Sequence, residues 1–115
     1  MSSYNISARS VTVLDLVATL FTVGFGDPAG NDVIVQDAVK ALDTLPEVRG
    51  DNPGGLLALV NGPASLPVAA VISHSLDHRF GAVGFFDPKL GGYVVSITHS
   101  PAFQVGQVIP KDAVS

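Results

Sequence analysis

Three histidines, an Asp-Pro-Lys step and an Asn-Gly-Pro step are the residues of this chain whose types and spacing could do chemistry. His74 and His78 stand four apart on a predicted helix, near its C-terminal end, where they share one face. A pair at this spacing either binds a divalent metal or sits solvated at a helix end, where positive charge suits the dipole. Asp87 closes a predicted buried strand, just before Pro88-Lys89-Leu90-Gly91-Gly92. A carboxylate at a strand C-terminus can bind a hard cation or orient a reacting hydroxyl, although Asp-Pro is also an ordinary turn start. His99 follows a further strand, in Thr98-His99-Ser100. If both strand ends face the rim that holds the end of the histidine-bearing helix, then His78, Asp87, Lys89 and His99 form a set of acid, base and cation. That set suits phosphodiester cleavage, which needs a base for the nucleophile and positive charge for the developing anion.

Asn61-Gly62-Pro63 lies between a central strand and a helix whose free amides could meet an anion. Asn61, Gly62 and Ser65 are therefore candidate contacts for phosphate or base, against a plain strand-to-helix turn. Other constellations are missing: there is no P-loop, no G-x-G-x-x-G and no G-x-S-x-G elbow. With no cysteine, disulfides, thiolate metal sites and cysteine nucleophiles are excluded.

The elements that must position these residues fit one domain spanning 1–115, since 115 residues leave no room for a second core. Tyr4 to Arg9 and Val11 to Val23 are expected as two strands, the second with an impure period that suggests burial on both faces. A helix with Val33, Asp37, Val39, Leu42 and Leu45 is expected to close before Pro46, capped by Asp32. Gly50 to Gly55 reads as a turn and Leu56 to Val60 as a central strand. Ala64 to about His78 reads as a helix whose Leu66, Ala69, Ala70, Ile72 and Leu76 pack on a sheet, with Pro67 in its first turn. Gly81 to Phe86 and Tyr93 to Thr98 follow as strands, and Val105 to Ile109 as a last one kinked at Gly106-Gln107. This order predicts an α/β fold with a single mixed central β-sheet and helices packed on it.

Net charge is −4, which gives no footprint for long DNA or RNA, yet the stretch from His74 to His99 is balanced between two basic and two acidic residues. A small anion is thus admissible at one place. A charged fraction of 14% beside 47% apolar residues leaves apolar surface over and predicts a homo-oligomer. The apolar stretch Val11 to Phe25 is interrupted by Asp15 and lacks a basic start, so neither a signal peptide nor a membrane span is expected, and a cytoplasmic location is the default.

The C-terminal half resembles a known family. Gly62-Pro63, the helix ending in His74 and His78, the run Phe86 to Val95, Thr98-His99-Ser100 and Val105-Gly106-Gln107-Val108-Ile109, in this order, are similar to the small CRISPR-associated Csx-three proteins. The likeness runs from about Leu56 to Ile109. It implies a ring nuclease: a phosphodiesterase that linearises cyclic tetra-adenylate and so switches off type III CRISPR antiviral signalling. It also implies manganese dependence, removal of adenylate tails from RNA, cyclic tetra-adenylate or short oligoadenylate RNA as the partner, and kinship with nucleotide-sensing Rossmann-like domains. Dimers, or tetramers with the ligand sandwiched between dimers stacked head to tail, are implied as well. By motif, His78, Asp87 and Lys89 take the catalytic positions, His99 a substrate-binding one, and His74, His78 and Asp87 the metal positions. The chain departs from the family in three places. Lys89 replaces an arginine and loses its planar fork, Ala64-Ser65-Leu66-Pro67 replaces an aromatic pair, and one extra residue separates His74 from Asp87. These departures motivate an alternative, a non-catalytic sensor or sponge for cyclic oligoadenylate.

Overall fold

A computed structural model describes residues 2–49 and 54–115. The element order is β1 (Tyr4–Val13), β2 (Leu16–Phe25), α1 (Asn31–Thr44), β3 (Gly55–Asn61), α2 (Leu66–Asp77), β4 (Phe80–Asp87), β5 (Gly92–Thr98) and β6 (Val108–Pro110), then a 3-10 turn at Lys111–Ala113. All six strands form one sheet in their sequence order, β1-β2-β3-β4-β5-β6. Strands β2, β3 and β4 are mutually parallel, while β1, β5 and β6 pair antiparallel with their neighbours. The mixed α/β sheet expected from the element order is therefore the observed one.

The N-terminal strands divide differently from the expectation. A ten-residue hairpin arm runs from Tyr4 to Val13, turns at Leu14-Asp15 and returns from Leu16 to Phe25. Both turn residues have positive φ, 47° and 70°, as a two-residue turn matched to strand twist requires. Asp32 does not cap α1. Gly30 holds the N-cap position and Asp32 lies in the first turn, where its charge meets the helix dipole. The turn expected at Gly50 to Gly55 falls mostly on residues 50–53, which lie outside the described residues.

Both crossovers, β2-α1-β3 and β3-α2-β4, step to the next strand in one direction. Right-handed connections then place both helices on the same face. Ile34, Ala38 and Leu42 of α1 and Val68, Ile72 and Leu76 of α2 pack there against Phe21, Ala58, Val60 and Val83. Leu66, expected in this packed face, is 88% exposed because it opens α2 beyond the edge of the sheet. Leu57 and Leu59 of the central strand point to the other face, so β3 is buried on both sides. No helix among the described residues covers that second core. The sheet coils over it, and Phe103, Ile109 and Val114 complete it. Coiling brings diagonal corners of a twisted sheet together, and here Val114 bridges back to Val13 of the first strand. No helix among the described residues is long and apolar enough to cross a membrane.

Candidate functional site

Strand direction decides where the candidate residues fall. Because β5 runs antiparallel to β4, with Asp87 opposite Gly92 and Ala82 opposite Thr98, Asp87 and His99 lie at opposite ends of the sheet. The expectation of one shared rim is thus corrected. The seven steps along β4 from Phe80 to Asp87 put roughly 20 Å between the two groups.

The first end collects the carboxyl ends of β3 and β4 and the start of α2. Asn61 closes β3, and Gly62 follows with φ 135°, its Cα so close to the hairpin that a Cβ would fall 1.8 Å from the Val23 carbonyl oxygen. The Tyr4 hydroxyl, on a fully buried ring, donates to the Pro63 carbonyl at 2.8 Å, and burial pushes that hydroxyl up to about 12. The loop is therefore fixed from below by β1 and β2. Ser65 caps α2 by accepting from Val68 N at 3.4 Å and donates to Asn31 Oδ1 at 2.8 Å, which ties the N-termini of the two helices together. Its hydroxyl is engaged within the protein, so the capped helix start rather than a free hydroxyl is what this residue offers an anion.

Asp87 stands half-buried at the same end. Its Oδ1 accepts from Lys89 N at 2.8 Å and Leu90 N at 3.2 Å, and its carbonyl accepts from Gly91 N at 2.9 Å. The ordinary turn reading of Asp-Pro is thus present in full. Oδ2 has no hydrogen bond among the described residues, and Lys89, two residues on, is exposed.

The second end holds the imidazoles. His74 and His78 close α2 with rings 4.8 Å apart and perpendicular, edge to face. His78 is the C-cap of the helix, and its neighbour Asp77 pairs through Oδ1 with His99 Nε2. His99 is further held by its own amide, which donates to the Gly81 carbonyl at 2.7 Å. Asp77 was not singled out in the sequence, although an acid beside His78 on a helix that ends next to the β5 terminus was the available signal. His74 also lines an apolar groove between the helices with Val39, Leu42, Ala70 and Val71.

The three residues expected to share a metal do not converge within one chain: His74 and His78 lie at the imidazole end and Asp87 at the other. Among the described residues no group of three or more His, Asp or Glu side chains gathers around one point. What each end can do alone is limited: one presents a carboxylate, an ammonium and helix-end amides, the other presents three imidazoles, of which His99 is oriented by a carboxylate.

No curated protein and no solved structure matches the chain. A family model does, over residues 28–110, which spans both helices and every strand from β3 onward together with both ends of the divided site, and the chain belongs to the family that model describes, CRISPR-associated protein (Cas_csx3).

Proposed function

We propose that this protein is a ring nuclease that binds cyclic tetra-adenylate between copies of the chain and opens it, removing the messenger of type III CRISPR signalling. The observation that carries this reading is the division of the reactive residues between opposite ends of one sheet. A single copy keeps His78 far from Asp87. Copies stacked head to tail set the imidazole end of one against the Asp87–Lys89 end of the next, with a symmetric, fourfold-charged ring between them.

The chemistry needs no water. The ribose 2′ oxygen bonds to the adjacent phosphorus while the bond from that phosphorus to the 5′ oxygen breaks, leaving a 2′,3′-cyclic phosphate. One proton leaves the 2′ hydroxyl and one is gained by the 5′ oxygen. His78 takes the first proton, and Lys89 faces the charge that builds on the phosphoryl oxygens. Asp87 holds the turn that presents Lys89. Asn61, Gly62, the capped start of α2 at Ser65, and His99 bind the ligand and keep the attack in line. Any manganese would have to be shared between copies, since the ligand set His74, His78 and Asp87 is itself divided.

The test is turnover of cyclic tetra-adenylate with and without manganese, for wild type, His78→Ala, Asp87→Ala and an equimolar mixture of the two variants. The reading expects linear products from wild type and none from either variant alone. It also expects partial recovery in the mixture, because one variant supplies an intact imidazole end and the other an intact Asp87 end. Ligand retained unchanged by wild type would make the chain a sensor or sponge. The absence of both binding and turnover would overturn the proposal.

A further inference from the structure

The second face of the sheet, left without a covering helix among the described residues, is open at the end where Asn61 lies. Side chains alternate along a strand, and Val11, Val13, Leu20, Leu57, Leu59 and Ala82 belong to the second core. Ser7 and Arg9 of β1, Thr22 of β2, Asn61 of β3 and Phe86 of β4 therefore share that face. The register joins them laterally. Ser7 pairs with Thr22, Thr22 with Asn61 and Phe86 with Tyr93, while Val60 opposite Phe85 sets Asn61 beside Phe86. From Ser7 to Phe86 the row crosses three strand spacings, about 14 Å.

This row forms the mouth of a half-barrel. Phe103 and Val114 fill the coiled face toward its other end, whereas Ser7, Arg9 and Thr22 are exposed and Asn61 and Phe86 half-buried. Asn5, Ser7 and Thr22 line a groove on the hairpin side. On the opposite side the Phe86 ring stands edge to face with Tyr93, centroids 5.3 Å apart. Arg9 lies one row deeper, in line with Leu20 and Leu59. Its charge is felt across the face: burial raises the Tyr93 hydroxyl above its ordinary value, and Arg9 acts against that rise. Neither the Arg9 guanidinium nor the Asn61 side-chain amide has a hydrogen bond or ion pair among the described residues. No residue of the row is acidic, although the chain carries a net charge of −4.

An unpaired guanidinium suits a phosphate group. A side-chain amide offers one donor and one acceptor side by side, which matches N6 and N7 of adenine and mismatches the two acceptors of guanine. A partly exposed aromatic ring next to it can take the face of a base. We propose that this mouth binds a single adenine nucleotide, with Arg9 facing its phosphate and Asn61 meeting the base edge beside Phe86. The mouths of coiled sheets are frequent places for ligands of this size. Asn61 is the residue shared with the ring-binding set, while Ser7, Arg9 and Thr22 lie on the hairpin, outside the residues 28–110 that the family model matches. The assignment uses neither the imidazole end nor a second copy, so it does not rest on ring opening.

Amide chemical shifts followed during titration with adenosine monophosphate test it. That nucleotide has no internucleotide bond, so ring opening cannot contribute to the signal. Wild type is expected to shift at Ser7, Thr22 and Asn61 and to bind guanosine monophosphate about tenfold more weakly. Arg9→Gln is expected to weaken adenosine monophosphate about tenfold and to leave adenosine, which has no phosphate, unchanged. Asn61→Ala is expected to remove the preference for adenine over guanine. Arg9 is exposed, so its replacement leaves the fold intact, and the spectrum of the free variant checks this. Three results would each overturn the proposal: no shift in wild type at millimolar nucleotide, shifts confined to residues outside the mouth, or an Arg9→Gln variant that binds as wild type does. Binding here without turnover of cyclic tetra-adenylate would remove the ring nuclease reading alone. Turnover without binding here would remove this assignment alone.

Discussion

Asp77 and His99, 22 positions apart in sequence, meet at the amino-terminal end of β4, where Asp77 Oδ1 faces His99 Nε2. Their side chains are 36% and 60% exposed, so the pair adds at most about 1 kcal/mol to stability. Its effect is orientation: with Nε2 engaged by a carboxylate, Nδ1 is the nitrogen left for a ligand. If the chain opens the ring as proposed, Asp77→Asn is expected to leave the melting temperature nearly unchanged and to slow that step about tenfold by loosening the position of His99 against the ligand. Single-turnover assays beside thermal melts check both halves, and an unaltered rate would remove Asp77 from the site.

The Gly62 contact makes a second expectation. A Cβ at this position would enter the Val23 carbonyl, and φ 135° is closed to other residues. Gly62→Ala therefore has to move the strand-to-helix loop and break the Tyr4–Pro63 bond, at a cost of about 2 kcal/mol or more. Urea unfolding measures the cost, and a loss under 1 kcal/mol would show that the loop gives way without strain.

The start of β1 is fixed to α1 by Asp37, which accepts from the Ser3 hydroxyl at 2.6 Å and the Ser3 amide at 2.9 Å. The hydroxyl first, and then the amide, hold its carboxyl below the usual carboxylate value. A depressed acid contributes stability that is complete above its unfolded value near 4 and is lost as pH falls through the folded value. Asp37→Asn is accordingly expected to melt below wild type at neutral pH, with the two converging in acid. Melting curves across this range decide it: parallel curves would mean that the carboxylate charge is not what holds Ser3.

The hairpin turn offers a stabilising change. Leu14 and Asp15 occupy left-handed backbone that Asn-Gly adopts at low cost, and Leu14 is 70% exposed. Leu14→Asn combined with Asp15→Gly is expected to raise stability by about 1 kcal/mol, read as a shift in the urea midpoint. A decrease would mean that Leu14 packs on something in the assembled protein.

That same turn explains why the N-terminal strands were misdivided from sequence. Leu-Asp carries none of the glycine or asparagine that marks a two-residue turn, whereas the later elements as far as β5 are punctuated by glycine or proline and lie close to their expected places; the last strand, expected from Val105 to Ile109, is only Val108–Pro110, because Val105 and Gly106 form a turn. The placement of the helices on one face follows from strand order, which composition and periodicity do not encode. The shared rim for Asp87 and His99 failed for a reason that was legible. Only Pro88 to Gly91 separate β4 from β5, and so short a link permits an antiparallel neighbour alone. A strand that turns back delivers its last residue to the opposite end. The Leu66 error has a similar origin: helical spacing places it on the packed side of α2, but its position before the first full turn carries it past the sheet.

The serial strand order has a consequence for how the chain acquires its structure. Each strand hydrogen-bonds to the strand next to it in sequence, so every pairing closes a loop no longer than one helix and its connections. Average contact order stays low for a six-stranded sheet, and the entropy lost at each closure is modest. The Val13–Val114 bridge is the exception, since it joins the first strand to the last residues and can form only after the sheet has coiled. Folding is therefore expected to proceed as rapid growth along the sheet, followed by one late docking of the C-terminal residues that seals the second core.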